Sequence, residues 1–176
     1  MTGKGHTWVG IVCSIAAYKF AKEHDAVPFI VAISTIFGAT APDWLEIRKK
    51  SGGTVIKHRT ITHYLPIWVV MFILSLGYIT QNEIITNNFP IIPNNIVINY
   101  LLSFLLGFSF GGLLHLLTDL PNPMGIPIIA PNVRFSLKLW KSGRYEPAIT
   151  FFFLLLVLIY VGVLKIHIDG IKGLIT

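Results

Sequence analysis

Apolar residues fall into five runs separated by polar breaks, at residues 8–20, 27–41, 64–79, 96–117 and 148–164. A helix needs about 20 apolar residues to cross the hydrocarbon core of a bilayer, with a range of about 17–25. The fourth and fifth runs meet that length and the third approaches it. The first two are short, which predicts helices that are tilted, packed against the others or only partly inserted. The pattern predicts an all-α fold, a polytopic membrane helical bundle of about five apolar helices forming one domain over residues 1–176.

The breaks constrain how the runs connect. Residues 21–26 make a brief polar turn, so the first pair of runs returns the chain to its starting side and leaves His6 and Asp43 together. The third run leaves after His63 through a polar linker at 81–95 that contains Pro90 and Pro93. The fourth returns and ends on His115 and Asp119, and the fifth leaves again after Glu146. His6, Asp43, His58, His63, His115, Asp119 and Glu146 are therefore expected at one membrane face. Gly107, Gly111 and Gly112 give the fourth run a small-residue face that lets a neighbouring helix approach closely.

Composition agrees with this picture. The chain is 53% hydrophobic and 12% charged, with a mean hydropathy of +0.69, whereas a soluble domain carries about 25% charged residues. The net charge of +6 raises nucleic acid as a partner. Its distribution argues against that: no Lys or Arg lies between His63 and Val133, and no aromatic-basic platform accompanies the clusters at 48–59 and 134–144. Basic clusters beside apolar spans are an orientation signal, and they select the His/Asp-bearing face as cytoplasmic. The expected location is the inner (cytoplasmic) membrane, multi-pass, with membrane lipid as the partner.

Cys13 is the only cysteine, which excludes an intrachain disulfide and a thiolate metal cluster. Within an apolar run it reads as a small packing residue. Residues 14–17 match a signal-peptidase site poorly, so the N-terminal run is expected to be retained.

The polar groups that interrupt this pattern carry the candidate chemistry. His115 and Asp119 lie at i and i+4, one turn apart on one helical face, where they can bind a metal or form a hydrogen-bonded pair that tightens the helix end. His58 and His63 flank Arg59 just before an apolar run, either as ligands or as part of a basic interfacial loop, with Thr60 or Thr62 able to cap the following helix. Asp43 follows Pro42 at a turn. It is a ligand candidate or the N-cap of a helix beginning at Trp44, itself a candidate interfacial anchor. His24 and His167 fall on the opposite side and receive no role. Imidazole and carboxylate together suit zinc and similar ions, and six such groups suffice for one or two metals.

The ordered set Gly5-His6, Pro42-Asp43, His58-Arg59 with Thr62-His63, and His115 with Asp119 resembles the YdjM-like family of inner-membrane-associated metal-dependent hydrolases. The resemblance extends through Gly125-Ile126-Pro127, Pro131 and Arg134-Phe135 to Glu146. A looser likeness of the His and Asp pattern is to zinc-dependent phospholipase C. This chain departs from the family pattern in four places. Leu45 stands where a second Asp is frequent, with Glu46 out of register, and Thr60, Tyr64 and Asn122 replace a Gly, a Ser and a Thr.

The resemblance implies a membrane-bound metal-dependent hydrolase. The residues above make its expected substrate an ester or phosphoester, such as a phospholipid or lipid-linked phosphate, at the cytoplasmic face. Its metal ligands would come from His6, Asp43, His58, His63, His115 and Asp119, and its catalytic groups from Asp43, Arg59 and Glu146. The loop at 120–132 would roof the site. The competing readings are a non-catalytic protein with a structural or sensing metal, and a transporter component. The spans carry few midplane polar groups and no paired broken helices of the sort transporters use, which argues against the last.

Overall fold

A computed structural model describes residues 1–46, 60–88 and 95–162. Six α-helices carry the fold among the described residues: α1 (Gly3–Glu23), α2 (Pro28–Gly38), a one-turn α3 (Ala41–Trp44), α4 (Leu65–Asn88), α5 (Ile96–Asp119) and α6 (Glu146–Val161). A 3-10 turn, Ile61–His63, precedes α4.

The first apolar run is extended at both ends. Thr2 caps α1, accepting a hydrogen bond from the Gly5 amide, so the helix begins before the apolar residues do and reaches 21 residues. The second run is cut short. Its helix ends at Gly38, and Pro42, unable to continue it, sits in the first turn of α3.

The helices run to and fro between two ends. At one end, the Val27 amide donates to Ser103 Oγ at 3.0 Å and the Asn99 amide group to the Asp25 carbonyl at 3.1 Å, tying the α1–α2 turn to the start of α5. The starts of α1, α4 and α6, together with α3 and the last turn of α5, gather at the other. Of the residues expected at one face, His6, Asp43, His63, His115, Asp119 and Glu146 thus lie at one end of the bundle, and His58 lies outside the described residues.

Close backbone approach between α2 and α5 sets the bundle's width. A Cβ at Gly107 would fall 2.1 Å from the Val31 carbonyl oxygen, and one at Gly111 would fall 2.2 Å from that of Thr35. Gly112 receives the Trp68 ring of α4. Three buried apolar clusters follow from this packing. Ala17, Val31 and Leu106 lie toward the far end, Val9, Cys13 and Leu114 in the middle, and Ala41, Trp68 and Leu116 at the other end.

Among the described residues, α5 alone is long and apolar enough to cross a membrane by itself; α2, the 65–80 part of α4, and α6 are shorter apolar helices. These helices nevertheless turn large apolar side chains outward, including Phe29, Leu74, Ile96 and Phe152.

The expected all-α fold needs one correction. The loop following α5 contains an antiparallel hairpin of β1 (Ile126–Ala130) and β2 (Val133–Phe135), pairing Ile126 with Phe135 and Pro127 with Arg134. Gly125, at φ +60°, turns the chain into β1, and Pro127 is tolerated because both strands are edges. Ile126 is buried with Ala41, Trp68 and Leu116, and Tyr64 Oη donates to the Ile129 carbonyl at 3.0 Å. The segment is thus a hairpin packed against the site end, whereas the sequence suggested a loop roofing it.

Candidate metal centre

Four chain segments deliver the polar cluster. α1 brings His6 in its first turn, α3 brings Asp43, the 3-10 turn brings His63, and the last turn of α5 brings His115 and Asp119. His6, His63, His115 and Asp119 are each at most 1% exposed. The Asp43 side chain is 39% exposed and forms the open edge.

Each histidine is oriented by a partner on its Nδ1 side. His115 Nδ1 lies 2.9 Å from the Ala39 carbonyl oxygen, which only accepts, so His115 carries its proton on Nδ1 and a lone pair on Nε2. The Thr118 hydroxyl already donates to the helix carbonyls of Leu114 and His115, at 3.0 and 2.9 Å, and is left to accept from His6 Nδ1 at 3.1 Å. His63 Nδ1 stands 3.1 Å from Thr62 Oγ1 and 3.6 Å from Glu46 Oε1. Trp68 Nε1 donates to the Thr62 carbonyl at 2.8 Å and holds that turn in place.

All three Nε2 atoms consequently face inward. His115 Nε2 is 3.3 Å from His63 Nε2, and His6 Nε2 is 3.4 Å from Asp119 Oδ1. Asp43 Oδ1 lies 3.5 Å from His63 Nε2 and 3.7 Å from His115 Nε2, and Asp119 Oδ2 is 3.8 Å from His115 Nε2. The His6 and His115 rings stack at a centroid separation of 3.7 Å. No hydrogen bond reaches the buried His6 Nε2. Asp119 also pairs with the Met1 ammonium and accepts from the Asn122 amide at 2.8 Å.

This donor set fits a divalent metal. Ligand atoms placed tetrahedrally at about 2.0–2.1 Å from a zinc ion lie about 3.3–3.4 Å from one another. The shortest inward separations match that spacing, and the others exceed it by a few tenths of an ångström. Two groups, His63–His115–Asp119 and His6–Asp43–His115, bring one ligand atom per residue within 4.8 Å of one another. His115 has only Nε2 to offer, so these groups describe one centre with a shared ligand. Burial opposes a charge on Asp43, yet the hydrogen bond from His63 and the nearby imidazoles outweigh it and hold the carboxyl down to about 2. Asp43 therefore presents an anionic oxygen at neutral pH.

The sequence-predicted residues divide as follows. His6, Asp43, His63, His115 and Asp119 converge. His58 and Arg59 lie outside the described residues, as does His167. Glu146 stands apart from the cluster: it accepts from the Thr2 amide and, at 2.8 Å, from the Thr2 hydroxyl, fixing the start of α1. Asp43 lies inside α3 instead of capping a helix that begins at Trp44. Thr62 serves His63 instead of capping α4.

Glu46, set aside in the sequence as out of register, is brought to His63. With Asp43 and His63 it forms a third group within the same 4.8 Å limit. Thr118 and Asn122 were not foreseen as partners. The sequence signals were spacing, three residues from His115 for Thr118 and three from Asp119 for Asn122, and for Asn122 also its place in the family pattern.

The whole length of the site, from His6 to Asp119, falls inside one family match: the sequence model of the YdjM inner membrane protein family aligns with residues 1–171. The chain belongs to that family. The family is described as one of inner membrane proteins, and the composition of this chain led us to expect a membrane protein. It is also similar to the uncharacterized protein YvsG of Bacillus subtilis (strain 168), with 28% identity over 159 residues that cover 83% of this chain and 84% of YvsG. No solved structure matches it.

Proposed function

We propose that this YdjM-family chain is a multi-pass, membrane-bound, metal-dependent hydrolase whose site lies at the cytoplasmic face and acts on an ester or phosphoester of an amphiphile. One observation carries the reading: three buried imidazoles, each oriented by a partner at Nδ1, aim Nε2 at one another and at two carboxylates with metal-ligand spacing. His63 Nε2 and His115 Nε2 meet at 3.3 Å, the separation of two ligands on one zinc ion. His6, His63, His115, Asp119 and Asp43 would hold one ion, zinc suiting this ligand set best. Such an ion supplies Lewis acidity, polarising an ester or phosphoryl oxygen and acidifying water.

The protein groups have separable tasks. The two carboxylates offset the charge of a divalent ion. Asp43, at the open edge, is the group placed to take a proton from water or to meet the substrate. Arg59 follows His58 in the sequence and is the candidate for a bidentate contact to a phosphate. Glu146 contributes by seating the first turn of α1, and with it His6.

Multiple crossings are supported by the outward apolar faces of α2, α4, α5 and α6, which exceed what a water-soluble surface carries. Orientation is supported by the basic residues that follow helices ending at the site end. Arg134, Lys138, Lys141 and Arg144 are of this kind, whereas at the far end Lys19 pairs with Glu23.

Near-complete burial of four of the five ligands favours a second reading, a closed structural or sensing metal site. One assay separates the two. Metal-loaded protein, with His63→Ala and Asp43→Ala variants that retain the fold, is incubated with vesicles spanning several phospholipid classes and with soluble phosphoesters. Phosphate, phosphoalcohol and fatty acid are then measured. The hydrolase reading expects release that falls in both variants by more than the about 10–100-fold lost on removing an outer partner of a metal ligand. Equal background release from all three proteins would favour the structural site, and fatty acid alone would keep the hydrolase and discard the phosphoester.

A further inference from the structure

α6 packs along α1, and a cleft of about 680 Å³ remains between α6 and the last turns of α5. That volume lies within the roughly 300–1,000 Å³ of small-molecule sites. The walls are apolar, from Leu117 and Pro121 on one side to Ala148 and Phe152 on the other. Thr118 supplies a hydroxyl, but that group is already committed to two helix carbonyls and His6. A cleft with such walls offers water too few partners to hold it.

The mouth has a different character. Trp140 and Tyr145 meet there edge to face, with ring centroids 6.2 Å apart, and both line the cleft. The Arg144 guanidinium lies over the Tyr145 ring at 5.5 Å. The Arg144 amide donates to the Lys141 carbonyl at 3.3 Å, closing a turn that sets two exposed cations at the same mouth. Amphipathic aromatic rings take up the headgroup level of a bilayer, and cations there attract anionic lipid.

We infer that the α5–α6 cleft binds an anionic phospholipid, one acyl chain lying between Leu117 and Phe152 and the phosphate meeting Arg144 and Lys141. This site is separate from the metal centre and does not depend on hydrolysis. The two adjoin at Thr118, which lines the cleft and orients His6.

The test uses the full-length protein in vesicles of phosphatidylcholine and phosphatidylglycerol, the latter carrying a diazirine in one acyl chain. After photolysis, adducts are mapped by mass spectrometry. Adducts are expected to concentrate on 117–121 and 148–153 relative to the outward Phe29 of α2. Unlabelled phosphatidylglycerol should suppress the cleft adducts better than unlabelled phosphatidylcholine, with no such preference at Phe29. Lys141→Gln with Arg144→Gln should lower cleft labelling about thirtyfold, the scale of two surface cations acting on one anionic headgroup. Ala148→Trp, which sets an indole across the cleft beside Phe152, should lower it sharply. Labelling spread evenly over Phe29, Leu74 and the cleft would mean bulk boundary lipid only and overturn the proposal. So would equal competition by the two lipids, a measurement on the unmodified protein that does not depend on any variant folding.

Discussion

At the scale of single residues, the outer partners decide what the histidines offer. The Ala39 carbonyl and the Thr118 hydroxyl fix two tautomers, and Thr62 with Glu46 flanks the third ring. Such partners are as much part of a metal site as the ligands, and their loss costs about 10–100-fold in affinity. Thr118→Val keeps the shape of the side chain and removes the acceptor for His6 Nδ1. It is expected to weaken metal binding within that range, read by competition with a chromogenic chelator, while His24→Ala leaves affinity unchanged. His24 ends α1 at the far end, against the Phe20 ring. The candidate ligands were legible in the sequence, because a His or Asp at the end of an apolar run has few structural excuses. Their outer partners were not. A backbone carbonyl leaves no mark in the sequence, and Thr118 resembles any other helical threonine until a second helix is set beside it.

At the scale of elements, glycines regulate how near α2 comes to α5, and that distance positions the Ala39 carbonyl against His115. A Cβ at Gly111 would fall 2.5 Å from the Ala39 amide nitrogen as well as striking the Thr35 carbonyl. Gly111→Ala should therefore push the helices apart, destabilising the fold by about 1–3 kcal/mol as overpacking does. Gly77→Ala is the contrast. Nothing lies within 4 Å of the Cβ it would gain, so the substitution should stabilise α4 by up to about 1 kcal/mol. Thermal unfolding in detergent, followed by circular dichroism, checks both signs. The small-residue face of α5 could be read from spacing alone. The extension of α1 to Gly3 depended on a Thr2 cap lying outside the apolar run, and the hairpin at 126–135 on local turn chemistry that hydropathy does not register.

At the scale of the whole molecule, the account joins a site at one end of a helical bundle to one face of a membrane. It expects exposed residues at the site end, such as Ser142, to face the cytoplasm, and those at the far end, such as Asn95, to face outward. In a Cys13→Ser background, a membrane-impermeant maleimide applied to intact cells should label a cysteine at Asn95 and spare one at Ser142; the reverse pattern would invert the orientation. The up-and-down course was legible because each polar break returns the chain to one of two ends. The convergence of His6, Asp43, His63, His115 and Asp119 to a few ångströms was not, since it depends on close packing that spacing along the chain does not contain. That convergence is the central claim, and elemental analysis of protein purified without a His-tag tests it most directly. The account predicts at least one equivalent of divalent metal per chain, lost in His115→Ala and Asp119→Ala and retained in His24→Ala. Metal-free wild-type protein after purification in zinc-supplemented buffer, or equal metal in all four proteins, would contradict it.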